Sequence, residues 1–185
     1  LALYAQFKVN ATFNHWKQVP SRIGMTGAQI ARAILDANGC RDVAIERVSG
    51  SLTDHYDPQN NVLRLSSEVY GSHSIAALGV AAHEAGHAIQ DAQDYAPMRI
   101  RATLVPVANI GSQAAIPLFM LGLFMSWEPL LKIGIFAFAF SVLFYLVTLP
   151  VEFNASRRAL RAIEDGNILT EEEHRGAKKV LQAAA

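Results

Sequence analysis

Between Ala102 and Trp127 the chain carries no charged residue for 26 positions, and between Ile133 and Val151 none for a further 19. As helices these stretches would extend about 39 Å and about 28 Å, against a hydrocarbon core of about 30 Å. The interval between them, marked by Glu128 and Lys132, is short. The pairing predicts a transmembrane helical hairpin in preference to two central helices of a soluble fold, because a helix satisfies its own backbone in lipid. Pro106, Asn109, Gln113 and Pro117 make the first span the more polar one. It is therefore expected to face protein or a water-filled cavity.

The 185 residues suffice for a single domain. Basic and acidic residues are equal at 16 each, so the chain lacks the basic excess of a nucleic-acid binder. Thr26 reads as the N-cap of a helix reaching Asn38, with Gly39 as its stop. Ile30, Ala31, Ile34 and Leu35 recur there at helical spacing. Val43–Val48 reads as a strand, Asp54–Pro58 with Asn60 and Asn61 as turns, and Val62–Leu65 as a second strand. A long helix is expected from Ser74 to Gln93, and its first half, Ile75–Ala82, is apolar on every side. Beyond Glu152 the helix should continue through Arg161 and break at Asp165–Asn167. Thr170 and Glu173 then form a capping-box pattern, and the helix dipole accounts for the acidic run Glu171–Glu173. Leu1–Phe7 and Lys178–Ala185 read as apolar runs cut short, so the natural chain is expected to be longer at both ends.

The chemistry centres on His83-Glu84-Ala85-Gly86-His87. Histidines four residues apart on a helix project from one side, one turn apart, and can reach a single ion. Burying two imidazoles and a carboxylate unpaired in a nearly all-apolar helix is unfavourable, which counts against a chance pair of core histidines. Cys40 is the lone cysteine, which excludes an intrachain disulfide and a Cys-rich metal site. At the end of a helix, Cys40 itself reads as structural. Glu84 reaches the edge of the same site, where it can take a proton from water. Zinc suits such a set, since it lowers the pKa of water to about 7 and polarises a carbonyl without redox chemistry.

A catalytic zinc needs a third protein ligand and an open position. No histidine lies between His87 and His174, so a carboxylate from another helix is expected. Glu152 sits where the second uncharged run ends, a place where a carboxylate often just marks the interface. Two spans, however, return the chain to its starting side and bring Glu152 to the face of the His83–His87 helix. Glu164 and Glu171–Glu173 have no comparable reason to converge there. An oxyanion stabiliser is also required. His55, Tyr56 and Arg157 are candidates, each with a plainer reading as a loop or interface residue.

The segments Ser74–Gln90 and Leu149–Ala159 resemble the YugP-type neutral zinc metallopeptidases of bacterial membranes, and the likeness covers nearly the whole chain. More distantly, the layout is similar to HtpX and the CAAX prenyl proteases, gluzincins with a membrane hairpin between motif and third ligand. The resemblance implies a mainly α, zincin-like integral membrane metalloprotease with a small β element. It implies one zinc ion held by His83, His87 and Glu152, with Glu84 as catalytic base, and further membrane helices at both ends. The expected parts are an N-terminal α/β region (1–73), the motif helix (74–94), the spans (102–127 and 133–151) and the third-ligand and C-terminal helices (152–185). One departure stands out. The prenyl-protease and HtpX relatives place an Asp four residues after the ligand Glu to steady a ligand His. Here that position is Ser156, which brings no charge. Asn154, Ser156 and Asp91 are all candidates for that role.

The expected partners are a peptide or protein substrate, membrane proteins included, and the lipid bilayer; the oligomeric state is open. Val62–Leu65 could pair with an extended peptide, as sheet edges do. Arg99 and Arg101 precede the hairpin and Arg157, Arg158 and Arg161 follow it, whereas its turn offers Lys132. The positive-inside rule then puts the catalytic face in the cytoplasm, at the bacterial inner membrane. Two rival classes are a membrane-anchored scaffold with a structural metal site, opposed by an intact Glu84, and a metal transporter. A transporter would want ionisable residues inside the spans, and there are none.

Overall fold

The computed structural model describes residues 2–184, with side chains described from 7 to 183. Along the chain run α1 (Ala2–Lys17), α2 (Gly27–Ala37), β1 (Ala44–Val48), β2 (His55–Asp57), β3 (Val62–Ser66), α3 (Ser67–Tyr70) and α4 (Ile75–Ala92). Then follow α5 (Ala96–Phe124), α6 (Glu128–Asp165) and α7 (Glu171–Ala184). The expected helical run Leu1–Phe7 falls on α1 apart from Leu1, which lies outside the described residues, as does Ala185. Two compact units are distinguished: Leu1–Gln93 with Glu152–Ala185, and Asp94–Val151.

In the first unit α4 is the central element. Every residue of it from Ile75 to Gln90 is buried except Val80 and Glu84, which lie one turn apart on the same face. Ser74 caps its start by accepting from the Ala77 N–H. Helix α2 begins at the expected cap: Thr26 accepts from the Gln29 N–H, and the Gln29 side chain accepts from the Thr26 N–H. Its apolar stripe of Ile30, Ala31, Ile34 and Leu35 is fully buried in a core shared with Leu78, Leu63 and Leu65. Burying each such large side chain contributes about 1.5–3 kcal/mol. Ala177, Val180 and Leu181 of α7 complete that core. Glu173 holds the start of α7 by accepting from the Thr170 hydroxyl and backbone N–H, and it also accepts from the Arg22 N–H at 2.6 Å.

The sheet corrects two expectations. Its order is β1-β3-β2, with β1 parallel and β2 antiparallel to β3. The Val62–Leu65 strand is therefore central, with both sides already paired, and cannot receive an added peptide strand. The sheet edges are β1 and β2. The stretch read as turn-rich contains β2, whose three residues are too short to show a period. The turn chemistry is real but sits just beyond: Asp57 accepts from the Gln59 and Asn60 N–H groups.

In the second unit α5 and the first part of α6 pack along one another. A Cβ added to Gly134 would fall 2.7 Å from the Phe119 backbone nitrogen, so the missing side chain permits the approach. Glu128 and Lys132 do not lie in the turn as expected. The chain reverses at 125–127, and both residues sit in the first turns of α6, ion-paired four apart at 2.7 Å. Glu128 at a helix start is favoured by the dipole, and Pro129 is tolerated there. Asn109 and Gln113, expected against protein or a cavity, are exposed. Ile110, Ile116, Phe124, Phe136 and Phe138 are each more than half exposed. Helices α5 and α6 are both long and apolar enough to cross a membrane, and apolar surface on this scale is unusual in water. Pro150 lies inside α6.

Within the first unit α4 meets α6 at Gly86. A Cβ there would lie 2.6 Å from the Ala155 carbonyl oxygen, a backbone atom that cannot swing aside. Gly86→Ala is therefore expected to destabilise the protein by about 1–3 kcal/mol through overpacking. That exceeds the roughly 0.5–1 kcal/mol alanine gains within a helix. The reading is the thermal midpoint of the full chain in detergent; a midpoint at or above the parent's would disprove the close approach.

Candidate metal centre

Helix α4 presents His83 and His87 one turn apart, both 6% exposed, with ring centroids 4.8 Å apart and planes at 81°. From α6, Glu152 Oε2 lies 3.1 Å from His83 Nε2 and 3.4 Å from His87 Nε2. One donor atom from each of the three residues lies within 4.8 Å of the others. Donors bound at about 2.0–2.2 Å around a tetrahedral ion are about 3.4 Å apart. Those two separations thus suit one small cation, and two imidazoles with a carboxylate suit zinc.

The far side of each ring is also occupied. His87 Nδ1 is 2.9 Å from Gln90 Oε1, and the Gln90 amide donates to Asn154 Oδ1 at 2.9 Å. Because Gln90 spends its NH2 group on Asn154, its oxygen accepts, so His87 Nδ1 carries the proton. In the neutral ring the lone pair then lies on Nε2, facing Glu152. Arg158 donates to the same Asn154 oxygen at 2.7 Å and also to Gln93 Oε1. His83 Nδ1 is 3.1 Å from the Ser156 hydroxyl. Asp91 instead accepts from the Tyr56 hydroxyl at 2.9 Å.

Glu84 Oε2 accepts from the Tyr56 backbone N–H at 3.1 Å. This contact anchors β2 against α4 and holds the carboxylate beside the histidines. Glu84 lines a cavity of about 240 Å³ together with His83, Glu152 and Asp54. Phe13 from α1, Val80 from α4 and Leu181 from α7 give it apolar walls. Asp54 was not singled out in the sequence, where it sits unmarked in a turn-rich stretch. Burial pushes its carboxyl above the ordinary value, opposed by the Ser66 N–H it accepts and reinforced by the nearby charge of Glu84.

None of the three candidate oxyanion groups lines the cavity at Glu84. His55 is exposed, with Nδ1 2.8 Å from the Thr53 carbonyl oxygen. The Tyr56 hydroxyl is engaged by Asp91 and Asn61, and burial with the Asp91 hydrogen bond raises its pKa. Arg157 lines a separate groove with Arg158 and Arg161. Glu164 pairs with His174 at 3.0 Å. Cys40 is buried, which raises the thiol pKa and fits a structural part. Gln90 was the residue overlooked. Its signal was a fully buried amide three positions after His87 on an apolar face.

Residues 1–185 match the family described as "Putative neutral zinc metallopeptidase". The chain is 46% identical over 185 residues to the "Putative membrane protease YugP" of Bacillus subtilis (strain 168). That alignment covers 100% of this chain and 82% of the relative. No solved structure matches it. With the whole chain matched and the His-His-Glu cluster assembled, the protein belongs to the neutral zinc metallopeptidase family.

Proposed function

We propose that the chain is a zinc-dependent membrane endopeptidase in which His83, His87 and Glu152 hold one catalytic ion. The observation that carries this reading is the convergence of the two Nε2 atoms on Glu152 Oε2. With zinc bound, the three ligands would hold a Lewis acid able to polarise a scissile carbonyl and to lower the pKa of water to about 7. Glu84 takes the proton from the attacking water and returns it to the leaving amine, as a general base and then acid. The Tyr56 N–H fixes the Glu84 carboxylate for that transfer. Gln90 and Ser156 orient the two imidazoles so that Nε2 is presented as the donor. The apolar walls of the cavity limit water around the reacting bond.

The arrangement is zincin-like, and α5 with α6 forms the membrane hairpin between the motif and the third ligand. The arginines before and after the hairpin support a cytoplasmic catalytic face at the bacterial inner membrane. The substrate is a peptide or protein, including membrane proteins whose cleavage sites lie near the bilayer surface.

Two experiments test this reading. Glu84→Gln is expected to retain zinc while hydrolysis of an unfolded protein substrate falls by about 10²–10⁴-fold; unaltered hydrolysis would eliminate Glu84 as the base. Gln90→Leu, which keeps bulk but removes the acceptor, is expected to weaken zinc binding by about 10–100-fold in a chelator competition. An affinity equal to the parent's would mean that Gln90 does not position His87.

A further inference from the structure

Apart from the metal centre, the first unit carries a groove of about 700 Å³ between α2, the end of α4 and residues 154–168. Three arginines line it, Arg157, Arg158 and Arg161, against one acidic residue, Asp165. Arg158 is already fixed by Asn154 and Gln93, so one guanidinium of the wall is held in place before any ligand arrives. Ile168 with Ala33, Ala37 and Ala162 gives the same groove an apolar flank, while Ile34 and Ile89 lie buried beneath it. Guanidinium forks match the oxygens of a phosphodiester, and the apolar flank suits hydrocarbon beside it. A ligand satisfying both is amphiphilic and anionic.

The position in the chain says where such a ligand would come from. Arg157 is six residues beyond Val151, the last residue of the second uncharged stretch, or about 9 Å of rise within α6. The polar layer on each side of a hydrocarbon core is about 5–8 Å deep, and arginine side chains extend several ångströms along a helix toward it. We propose that this groove binds the headgroup of an anionic phospholipid, with Arg157 and Arg161 taking the phosphodiester and Arg158 forming the prearranged wall. The inference rests on α6 crossing the membrane and is independent of the chemistry proposed for Glu84.

The test is lipid retention by the full chain in non-ionic detergent, read by native mass spectrometry with phosphatidylglycerol and phosphatidylcholine of equal chain length. The parent is expected to prefer phosphatidylglycerol by roughly fivefold for each arginine engaged, hence on the order of 25-fold for Arg157 and Arg161 together. Arg157→Gln/Arg161→Gln should bring the two lipids near parity, with each single variant between. Both residues are exposed, so the fold should survive, checked by an unchanged thermal midpoint. Arg41→Gln/Arg175→Gln removes equal charge from exposed sites outside the groove and should keep the parent's preference. Preference retained in the Arg157/Arg161 double variant, lost equally in the Arg41/Arg175 control, or absent from the parent would overturn the proposal. So would displacement of phosphatidylglycerol by glycerol 3-phosphate at equal concentration, which would identify a soluble phosphate as the ligand.

Discussion

Helix α4 buries two imidazoles and an amide among alanines, isoleucine and leucine, and each of those polar groups must find a partner inside protein. The partners come from one short stretch of α6. Glu152 and Ser156 meet His83, Asn154 meets Gln90, and Glu152 also meets His87. These contacts are possible because Gly86 lets the backbones of α4 and α6 nearly touch at Ala155. A larger residue at 86 would press the helices apart and weaken the contacts of His83, His87 and Gln90 with α6 together. Packing and polar satisfaction are thus one constraint, and the candidate metal site follows from it.

The flank of α4 beside the histidines is held from the sheet. Tyr56 contributes its backbone N–H to Glu84 and its hydroxyl to Asp91, so a single edge-strand residue braces α4 at positions seven apart. The sheet is small, yet this brace gives it a role at the cleft: β2 fixes the carboxylate, and the connection before it contributes Asp54 to the cavity wall. Further apolar wall comes from α1 and α7, helices from opposite ends of the chain that both pack against α4.

Much of this was legible in the sequence, for physical reasons that differ by element. Thr26, the stripe Ile30–Leu35 and the histidines four apart are local patterns, and local geometry suffices to read them. Glu152 was legible because a pair of long uncharged runs constrains where the chain returns. The strand β2 was hidden because three residues carry no period and Asp57-Pro58 does form a turn immediately afterwards. The central place of β3 was hidden because strand order is a long-range property that alternation along one strand does not encode. Arg157 was weighed by its distance along the chain from Glu152, but its place on the helix surface turns it to a different groove. Gln90 went unread since its part depends on Asn154, 64 positions away.

Pro150 adds a mechanical property to this picture. A proline inside a helix removes the hydrogen bond to the carbonyl four residues earlier, here Leu146, and makes bending cheapest at that point. It stands two residues ahead of Glu152, just upstream of the turn that carries the carboxylate. Bending within α6 is therefore concentrated just ahead of the turn whose carboxylate meets His83 and His87.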